Sequence, residues 1–380
     1  MNVYVDSLAS SLARAGVACD VFCRAEHPTD PLVVEVAPGY RVINLEAGSR
    51  RAVARPNWPD VIDEYATAAR RFIDTEGGYD LFHAHYWVSG AVAHRLKHEL
   101  DTPLVATFHT LALVKAEAGF DDDLARAESE AATIRCADLI LANTRDESEQ
   151  LTTLYDAARE RIEIVAPGVD HAVFHARDRA GAKEALGLTG RRVMLFAGRI
   201  QPLKGADVAV RVLAAIDDPD VVLLIVGGPS GIDGERELQR LHLLVAELGI
   251  AERVQFVAPQ AHAALARYYR AADVCLVPSR SESFGLVALE AASCGTPVVA
   301  SSVGGLRHLV ADGVSGFLVG CCDAANFVAP VRSILDDAAL AARLHRGAID
   351  LAATYSWSMT ATRLCRLYED LAARELVQCS

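Results

Sequence analysis

The sequence contains no Cys-x-x-Cys pair, no apolar run long enough to span a bilayer and no secretory signal segment. Without such pairs, its nine cysteines predict neither a disulfide framework nor a zinc site. The formal net charge of −13 argues against nucleic acid or an anionic membrane as the main partner, because both repel a negative surface. These absences predict a cytoplasmic protein with no membrane span, no metal site and no nucleic-acid partner.

Short β-branched runs alternate with longer amphipathic stretches along the whole chain, a pattern typical of parallel βα units. The 380 residues suffice for two α/β domains, each with its own core. Strands are predicted at residues 17–23, 40–45, 81–85, 104–108, 139–142 and 162–165, then at 193–197, 221–226, 254–257, 274–277 and 297–300. Turn residues at 167–170 separate the halves. We predict doubly wound, Rossmann-like domains at 1–170 and 171–355, facing a cleft, and a terminal helix at 356–380.

The beginning of the chain departs from this pattern. Residues 2–15 are predicted to form an amphipathic helix, whereas a doubly wound domain starts with a strand that becomes central in its sheet. Without that strand, two facing strand edges would stay unpaired inside the sheet. We therefore expect the first strand of the N-terminal domain to be missing, with the natural start upstream of Met1.

Two acidic residues mark a strand-to-helix junction in the second half, Glu282 and Glu290 of Ser281-Glu-Ser-Phe-Gly-Leu-Val-Ala-Leu-Glu290. A helix that opens at Phe284-Gly285 would place Glu282 in the loop and Glu290 about two turns into the helix. The N–H groups of such a helix N-terminus suit an anion, and acids beside them suit neutral hydroxyls. A nucleotide sugar supplies both, because its diphosphate joins two polyhydroxylated rings.

Two cations follow an earlier strand, in Gly198-Arg199-Ile200-Gln201-Pro202-Leu203-Lys204-Gly205. At the carboxyl end of a strand, Arg199 and Lys204 could neutralise a diphosphate and the charge that it gains as it leaves. Taken alone, the spacing of Arg199 and Lys204 is weak evidence for a diphosphate site. Together with the glutamate pair and with Val226-Gly227-Gly228-Pro229-Ser230-Gly231 at another strand end, it indicates a nucleotide-sugar site.

These segments, with Cys294-Gly-Thr-Pro-Val-Val299 and Val303-Gly-Gly305, resemble the family 4 retaining glycosyltransferases of the two-domain GT-B architecture. The resemblance implies that Arg199 and Lys204 hold the donor diphosphate. It also implies that Glu282 binds donor-sugar hydroxyls, Glu290 binds ribose hydroxyls, and His109 approaches the donor sugar from the first domain. Further donor-binding residues implied in this way are Gly228, Gln260 (near the uracil), Ser283, Phe284, Gly285 and Leu286. The terminal helix would cross back toward the first domain.

The first half narrows the resemblance to the inositol-phosphate glycosyltransferases of mycothiol biosynthesis. The segments that carry it are Met1-Asn-Val-Tyr-Val5, His83-Ala-His-Tyr-Trp87 and Phe108-His-Thr-Leu-Ala-Leu-Val-Lys115. The resemblance implies transfer of N-acetylglucosamine from UDP to 1D-myo-inositol 3-phosphate. It also implies an acceptor site in which four residues hold the phosphate and one contacts the inositol ring: Arg55, Tyr86, Thr110 and Arg126, and Asn2. Arg55 stands where these relatives carry lysine, and Pro56 where they carry an acid.

Other functions remain open at this point. An enzyme similar to sucrose-phosphate synthase shares several of these motifs and would use a phosphorylated hexose acceptor. A nucleotide-sugar 2-epimerase has a similar pair of domains but needs no acceptor. An impaired homologue that only binds UDP is a third alternative. The transferase needs no cofactor besides its substrates; Mg²⁺ could accompany the diphosphate but is not used in the predicted mechanism. The resemblance also suggests a homodimer.

Simpler structural roles compete with some of these assignments. His83 and His85 share one face of a predicted strand and could chelate a metal, but hydrogen-bonded packing is the favoured interpretation. Trp87 is interpreted as a core residue. His109 could be an ordinary strand-end histidine, and its place beside Thr110 favours a functional role.

Overall fold

The computed structural model describes residues 2–53, 57–117, 119, 123–231, 233–320, 323–373 and 375–378. It divides into two compact units. Unit 1 comprises Met1–Gly168 with Trp357–Ser380, and unit 2 comprises Val169–Ser356. Within the described residues, every helix is too short or too polar to cross a lipid bilayer.

The strands of unit 1 form two separate sheets. They are β1 (Cys19–Arg24), β2 (Val33–Ala37), β3 (Tyr40–Leu45), β4 (Phe82–His85), β5 (Leu104–Thr107), β6 (Leu139–Ala142) and β7 (Ile162–Ile164). One sheet has the order β1-β3-β2, in which β1 runs parallel and β2 antiparallel to β3. The other is parallel throughout, in the order β4-β5-β6-β7. The predicted single sheet is thus split, because no described strand lies between β1 and β4.

Unit 2 contains one parallel sheet. Its strands are β8 (Arg192–Ala197), β9 (Val221–Val226), β10 (Val254–Val257), β11 (Val274–Val277), β12 (Val298–Ser301) and β13 (Gly316–Val319). Their order is β10-β9-β8-β11-β12-β13, so the winding direction reverses between β8 and β11. Ligands bind at such a reversal, outside the carboxyl ends of the strands.

Helices cover the sheets. In chain order they are α1 (Asn2–Arg14), α2 (Pro59–Glu76), α3 (Trp87–Leu100), α4 (Ala112–Glu117), α5 (Leu124–Cys136), α6 (Arg145–Tyr155), α7 (Arg179–Ala185), α8 (Ala206–Ala215), α9 (Gly234–Glu247), α10 (His262–Ala271), α11 (Leu286–Ser293), α12 (Leu306–Leu309), α13 (Ala324–Asp336), α14 (Ala338–Ala352) and α15 (Trp357–Ala372). The central strands are buried on both faces, which explains their continuous apolar sequences.

The alternation of side chains along β5 assigns the helices of unit 1 to two faces. Val105 packs in a cluster with Leu8 of α1 and Leu364 of α15. Its neighbour Ala106 packs in a different cluster, with Ile134 of α5. Because successive strand residues point to opposite faces, α1 and α15 cover one face of this sheet and α5 covers the other.

The structure confirms the α/β class and most of the predicted elements. The helix predicted at residues 2–15 is α1, and the strands predicted at 40–45 and 221–226 have those bounds. The sequence prediction missed β2 and β13. The missed β2 has the sequence Val-Val-Glu-Val-Ala and is exposed along most of its length, so its valines do not mark a buried face.

Candidate functional site

Three adjacent strands of unit 2 bring the predicted donor-binding segments to one edge. Gly198–Gly205 follows β8, Gly227 and Gly228 follow β9, and Ser281–Gly285 follows β11. Because β8 lies between β9 and β11 in the sheet, the carboxyl ends of all three meet where the winding reverses. The predicted diphosphate cations and the predicted sugar-binding acid therefore share one edge.

Two glycines allow these loops to approach one another closely. A Cβ atom on Gly227 would lie 1.8 Å from the carbonyl oxygen of Gly198, and a Cβ atom on Gly304 would lie 2.0 Å from that of Glu282. Both positions also have a positive φ angle, which glycine adopts without strain. Only glycine fits at either position, so the loops that carry Arg199 and Glu282 are held by backbone contacts.

Lys204 and Glu282 form an ion pair in this structure. The Lys204 Nζ atom lies 2.7 Å from the Glu282 Oε2 atom, and the Ser279 hydroxyl donates to the same oxygen at 3.3 Å. The Lys204 side chain is 19% exposed and the Glu282 side chain 17% exposed, so a ligand can reach both. The structure thus brings together a cation and an acid that the sequence placed 78 residues apart.

Arg199 is the second predicted cation at this edge. Its side chain is exposed, directly after Gly198 at the end of β8. No described residue accepts a hydrogen bond from its guanidinium or pairs with it. An anion that reaches the edge can therefore bind Arg199 without displacing a protein partner.

Glu290 lies nearer to the helix N-terminus than the sequence predicted. The left-handed backbone of Gly285, with φ 105°, delays the start of α11 to Leu286, so Glu290 lies about one turn, not two, into the helix. Its buried carboxylate accepts a hydrogen bond from the Tyr269 hydroxyl at 2.8 Å and contacts His262 Nε2 at 2.7 Å. The sequence prediction missed both partners. Each carboxylate oxygen still has a further lone pair for a ribose hydroxyl.

The remaining donor-side residues lie on the same or the neighbouring strand ends. Gln260 lies between β10 and α10, and its side-chain amide donates to the Ala258 carbonyl at 2.9 Å. Phe284 is buried, and its ring meets that of Tyr355 at 6.0 Å between centroids. Four others are placed by the loops already described: Gly228 after β9, Ser283 and Gly285 after β11, and Leu286 at the start of α11.

In unit 1, two residues with unusual backbone angles follow adjacent parallel strands. Tyr86 comes directly after β4 with φ 78°, and His109 comes two residues after the end of β5 with φ 61°. A positive φ is rare for bulky residues, and such strain concentrates at binding and catalytic sites. The sequence prediction named both residues for the site, but their backbone angles could not be read from sequence.

Arg126 is a buried cation in which one terminal guanidinium nitrogen has no partner among the described residues. Its Nε donates to Glu130 Oε1 at 2.7 Å, and its Nη2 donates to the carbonyl and hydroxyl oxygens of Thr110 at 2.7 and 3.0 Å. Its Nη1 has no partner among the described residues. The Tyr86 ring lies 4.9 Å from the guanidinium carbon. A buried guanidinium with a free donor, beside a hydroxyl, suits an oxyanion such as a phosphate.

Local structure explains why Arg126 is held in place. Asp123 accepts a hydrogen bond from the Arg126 backbone N–H at 3.0 Å and so caps the N-terminus of α5. One turn later, Glu130 also accepts from the Ala112 N–H at 2.9 Å and from the Tyr155 hydroxyl. The ion pair is therefore built into a hydrogen-bonded network that joins α4, α5 and α6, and only Nη1 of Arg126 lacks a partner in it among the described residues.

Two residues predicted for the acceptor site remain, Asn2 and Arg55, and of these the structure describes Asn2. Asn2 is exposed and is the first residue of α1. Arg55 and the neighbouring Pro56 lie outside the described residues. The predicted Arg55 contact with the acceptor therefore stays a prediction.

His83, His85 and His109 lie in a row, with ring contacts between His83 and His85 and between His85 and His109. The His83 ring nitrogens contact the Tyr368 hydroxyl at 2.8 Å and the Thr107 hydroxyl at 2.9 Å. His85 Nδ1 lies 3.1 Å from His109 Nε2, which leaves Nδ1 of His109 for other partners. Burial lowers the pKa of His83 and His109 well below the usual value, and that of His85 to about 3. All three are thus neutral near pH 7, and His83 has the packing role favoured above.

The sequence prediction missed a buried acid, Glu147, in the first turn of α6. Glu147 Oε2 accepts hydrogen bonds from the Asn143 backbone at 2.7 Å and from its side-chain amide at 2.9 Å. The Thr144 hydroxyl in turn accepts from the Glu147 N–H at 3.1 Å, and this Thr-x-x-Glu spacing is a helix-capping signal. Burial raises the pKa of Glu147 to about 7. The Thr-x-x-Glu spacing could have revealed Glu147 in the sequence, but it indicates a helix N-terminus and not a binding or catalytic role.

The raised pKa of Glu147 predicts a pH-dependent stability. The folded protein holds this proton up to about pH 7, whereas the unfolded chain releases it near the ordinary glutamate pKa of 4.5. Stability from this group is therefore complete below pH 4.5 and is lost as pH rises to 7. Wild type should lose roughly 3 kcal/mol of unfolding free energy relative to Glu147→Gln as the pH rises from 4.5 to 8, because glutamine does not titrate. Urea unfolding of both proteins across this range measures the difference; a constant difference would contradict the assignment.

One cluster of metal-ligand atoms lies elsewhere in unit 1. The side chains of His94, His98 and Cys136 place one ligand atom each within 4.8 Å of one another. However, Cys136 is disulfide-bonded, which the sequence did not predict, so its sulfur is not a thiolate ligand in this state.

The comparisons with known proteins agree with this geometry. A model of the family described as glycosyl transferases group 1 matches residues 178–350, and a model of glycosyltransferase family 4 matches residues 1–173. The chain is 44% identical over 383 residues to the D-inositol 3-phosphate glycosyltransferase of Mycolicibacterium vanbaalenii, covering 97% of this chain and 84% of that protein. It is 42% identical over 379 residues to D-inositol 3-phosphate glycosyltransferase 1 of Catenulispora acidiphila, covering 97% and 90%.

A solved structure is similar over nearly the whole chain. Sucrose-phosphate synthase from Thermosynechococcus elongatus matches with a TM-score of 0.92 and 33% identity, covering 98% of this chain and 93% of that one. The two family models together extend across both units, and the edge of unit 2 carries the cations and acids that the family resemblance implied. The chain is therefore a glycosyltransferase and belongs to glycosyltransferase family 4.

Proposed function

We propose that this enzyme transfers N-acetylglucosamine from UDP-N-acetylglucosamine to 1D-myo-inositol 3-phosphate, with retention at the anomeric carbon. The observation that carries the acceptor assignment is Arg126, a buried guanidinium whose Nη1 lacks a partner among the described residues. Two relatives above 40% identity bear the name D-inositol 3-phosphate glycosyltransferase. The cations Arg199 and Lys204 support a diphosphate donor.

The leaving group determines what the protein must supply. UDP leaves well without a proton donor, so catalysis depends on stabilising the charge that grows on the β-phosphate. We assign this work to Arg199, Lys204 and the N–H groups at the start of α11, an assignment that the helix start at Leu286 and the Lys204–Glu282 ion pair support. In the proposed front-face reaction, the acceptor oxygen bonds to the anomeric carbon as the bond to the β-phosphate oxygen breaks. The hydroxyl proton passes to that phosphate.

Glu282 orients the donor sugar in this scheme and forms no bond to it. Its Oε2 atom already accepts from Lys204 and Ser279, so the carboxylate is held in a fixed position beside the diphosphate cations. A covalent glycosyl adduct on Glu282, trapped with a slow donor and found by mass spectrometry, would show that the enzyme uses double displacement instead.

Acceptor choice is tested by measuring UDP release with four acceptors. These are 1D-myo-inositol 3-phosphate, fructose 6-phosphate, glucose 6-phosphate and unphosphorylated myo-inositol. We expect inositol 3-phosphate to give the highest kcat/KM and unphosphorylated inositol to lose at least tenfold, because charge-assisted bonds to a phosphate contribute well over 1 kcal/mol. A preference for unphosphorylated inositol would contradict a phosphate role for Arg126.

A second candidate has a specific structural observation in its favour. The similarity to sucrose-phosphate synthase, at a TM-score of 0.92, suits an acceptor such as fructose 6-phosphate. The fructose 6-phosphate arm of the same assay distinguishes the two. Incubation with UDP-N-acetylglucosamine alone addresses the 2-epimerase alternative, because only an epimerase would change the sugar without an acceptor.

Metal removal gives a further prediction. Because Arg199 and Lys204 supply positive charge at the diphosphate, EDTA should leave kcat within about twofold of the untreated enzyme. The control is the same assay after adding Mg²⁺ back. A loss of activity that Mg²⁺ restores would show that a cation completes the diphosphate site.

A further inference from the structure

One face of helix α3 carries two histidines next to the carboxyl end of α5. His94 and His98 are four residues apart, the spacing at which helical side chains are neighbours, and their ring centroids lie 5.0 Å apart. Cys136 is the last residue of α5. Each of these three side chains offers one ligand atom, and the three atoms lie within 4.8 Å of one another. Two helices thus bring two imidazoles and one sulfur to the same point.

The separation of these atoms suits one metal ion. The Cys136 Sγ atom lies 3.8 Å from Nε2 of His98. A tetrahedral zinc ion holds sulfur at about 2.3 Å and nitrogen at about 2.0 Å, which places the two ligand atoms roughly 3.5 Å apart. Small side-chain rotations therefore suffice to bring both atoms into coordination. His94 is half-buried, His98 exposed and Cys136 buried, so water can reach the site and serve as the fourth ligand.

A buried ion pair fixes the two helices beside this cluster. Lys97, on α3 between the two histidines, donates from Nζ to Asp138 Oδ2 at 2.6 Å and to the Cys136 carbonyl oxygen at 2.8 Å. The same Asp138 oxygen accepts from the Leu104 N–H at 2.8 Å. Asp138 also neutralises the Lys97 charge, which would otherwise repel a cation. The ligand atoms are therefore carried on rigid elements that these bonds hold in register, as a metal site requires.

The oxidation state of Cys136 decides whether an ion can bind. The sulfur ligand of zinc is a thiolate, and Cys136 is disulfide-bonded in this structure. A phosphine reductant breaks the S–S bond by giving two electrons to the sulfurs, which leave as two thiols. The phosphine takes its oxygen, and the thiols their protons, from one water molecule. Zinc then displaces the remaining proton of the Cys136 thiol when it binds.

We propose that His94, His98 and Cys136 form a zinc site in the reduced protein, and that the disulfide bond of Cys136 closes this site to metal. The cluster lies at the carboxyl-terminal ends of α3 and α5, whereas Arg126 lies in the first turn of α5. The ion therefore takes no part in the proposed sugar transfer and acts on the stability of unit 1. The sequence analysis did not predict this site, because its ligands come from two helices and include no Cys-x-x-Cys pair.

Zinc titration of the full 380-residue chain tests the site. One sample is reduced with a phosphine, since added thiols bind zinc themselves, and a second is oxidised. We expect one zinc ion per reduced chain, bound at least about 100-fold more tightly than by the oxidised chain. At a zinc concentration 100 times Kd, the melting temperature of the reduced protein should rise by about 5 °C. Equal affinity in the two forms, or no binding by either, would overturn the proposal.

A ligand variant and a matched histidine variant test which side chains bind zinc. His98→Ala should lower the zinc affinity of the reduced protein at least about 100-fold, because even residues that only orient a zinc ligand contribute tenfold to 100-fold. His175→Ala is the control, since His175 also follows a histidine, His171, by four residues, and its Nδ1 contacts the His171 carbonyl at 3.0 Å. The control should bind zinc as wild type does. An equal loss in both variants, or none in His98→Ala, would contradict the assignment.

Cobalt reports the sulfur ligand directly. Co²⁺ added to the reduced protein should give a sulfur-to-cobalt charge-transfer band in the near ultraviolet, because a thiolate donates charge to the ion. The band should be absent from Cys136→Ser and from the oxidised protein, and zinc should displace it from wild type. A band of wild-type intensity in Cys136→Ser would place the metal on another cysteine, and the proposal would be wrong.

Discussion

Lys204→Ala should lower kcat on the order of 100-fold. The Nζ atom of Lys204 lies at the carboxyl edge of β8 and β11, 2.7 Å from Glu282, where the β-phosphate of the donor is proposed to leave. Loss of one well-placed donor to a developing negative charge typically costs this much. Because the interaction strengthens as the bond breaks, kcat should fall more than the affinity for UDP. Steady-state kinetics with UDP-N-acetylglucosamine and inositol 3-phosphate measure both.

A matched control separates catalysis from general loss of charge. Arg211→Ala removes an exposed cation from α8, the helix that follows Lys204. We expect wild-type kcat and an unchanged melting temperature for this control. If Lys204→Ala is folded and keeps kcat within twofold of wild type, Lys204 has no part in stabilising the leaving group.

Arg126→Ala should lower the free energy of unfolding by about 3–5 kcal/mol, because it leaves Glu130 charged and without its cation in the interior. Glu130 and Arg126 are both fully buried. Adding Glu130→Gln should recover most of this loss, since glutamine is neutral and still offers an oxygen to the Ala112 N–H and the Tyr155 hydroxyl. Urea unfolding of the single and double variants measures the recovery. No recovery would indicate that packing, not stranded charge, dominates.

The same double variant tests the acceptor site in a folded protein. Arg126→Ala with Glu130→Gln removes the guanidinium that Thr110 and Tyr86 surround. The KM for inositol 3-phosphate should rise at least tenfold, while the KM for UDP-N-acetylglucosamine changes little, since the donor cations lie in unit 2. An equal rise in both constants would indicate a disturbed fold. An unchanged KM for the acceptor would remove Arg126 from the phosphate site.

Local patterns predicted much of this fold. The continuous apolar run at 221–226 predicted both ends of β9 correctly. A strand that is buried on both faces has no polar residues within it, so the limits of its apolar run match the limits of the strand. Arg126 and Glu130 are four residues apart, the spacing at which side chains share one helix face, and they contact each other at 2.7 Å in the structure.

Features that depend on distant contacts could not be predicted. The partners of Glu290 come from a different helix, α10, and the ion pair of Lys204 with Glu282 joins two loops. The left-handed backbone of Gly285 sets the start of α11 and therefore places Glu290 one turn into the helix. The sequence allows this backbone conformation but does not require it. The positive φ of His109 is similarly a product of its surroundings.

A crystal structure with UDP bound tests the central claim most directly, since the whole mechanism rests on where the diphosphate binds. We expect the diphosphate oxygens within hydrogen-bond distance of both Arg199 and Lys204, and the ribose hydroxyls beside Glu290. A nucleotide bound away from the carboxyl ends of β8, β9 and β11 would contradict the account.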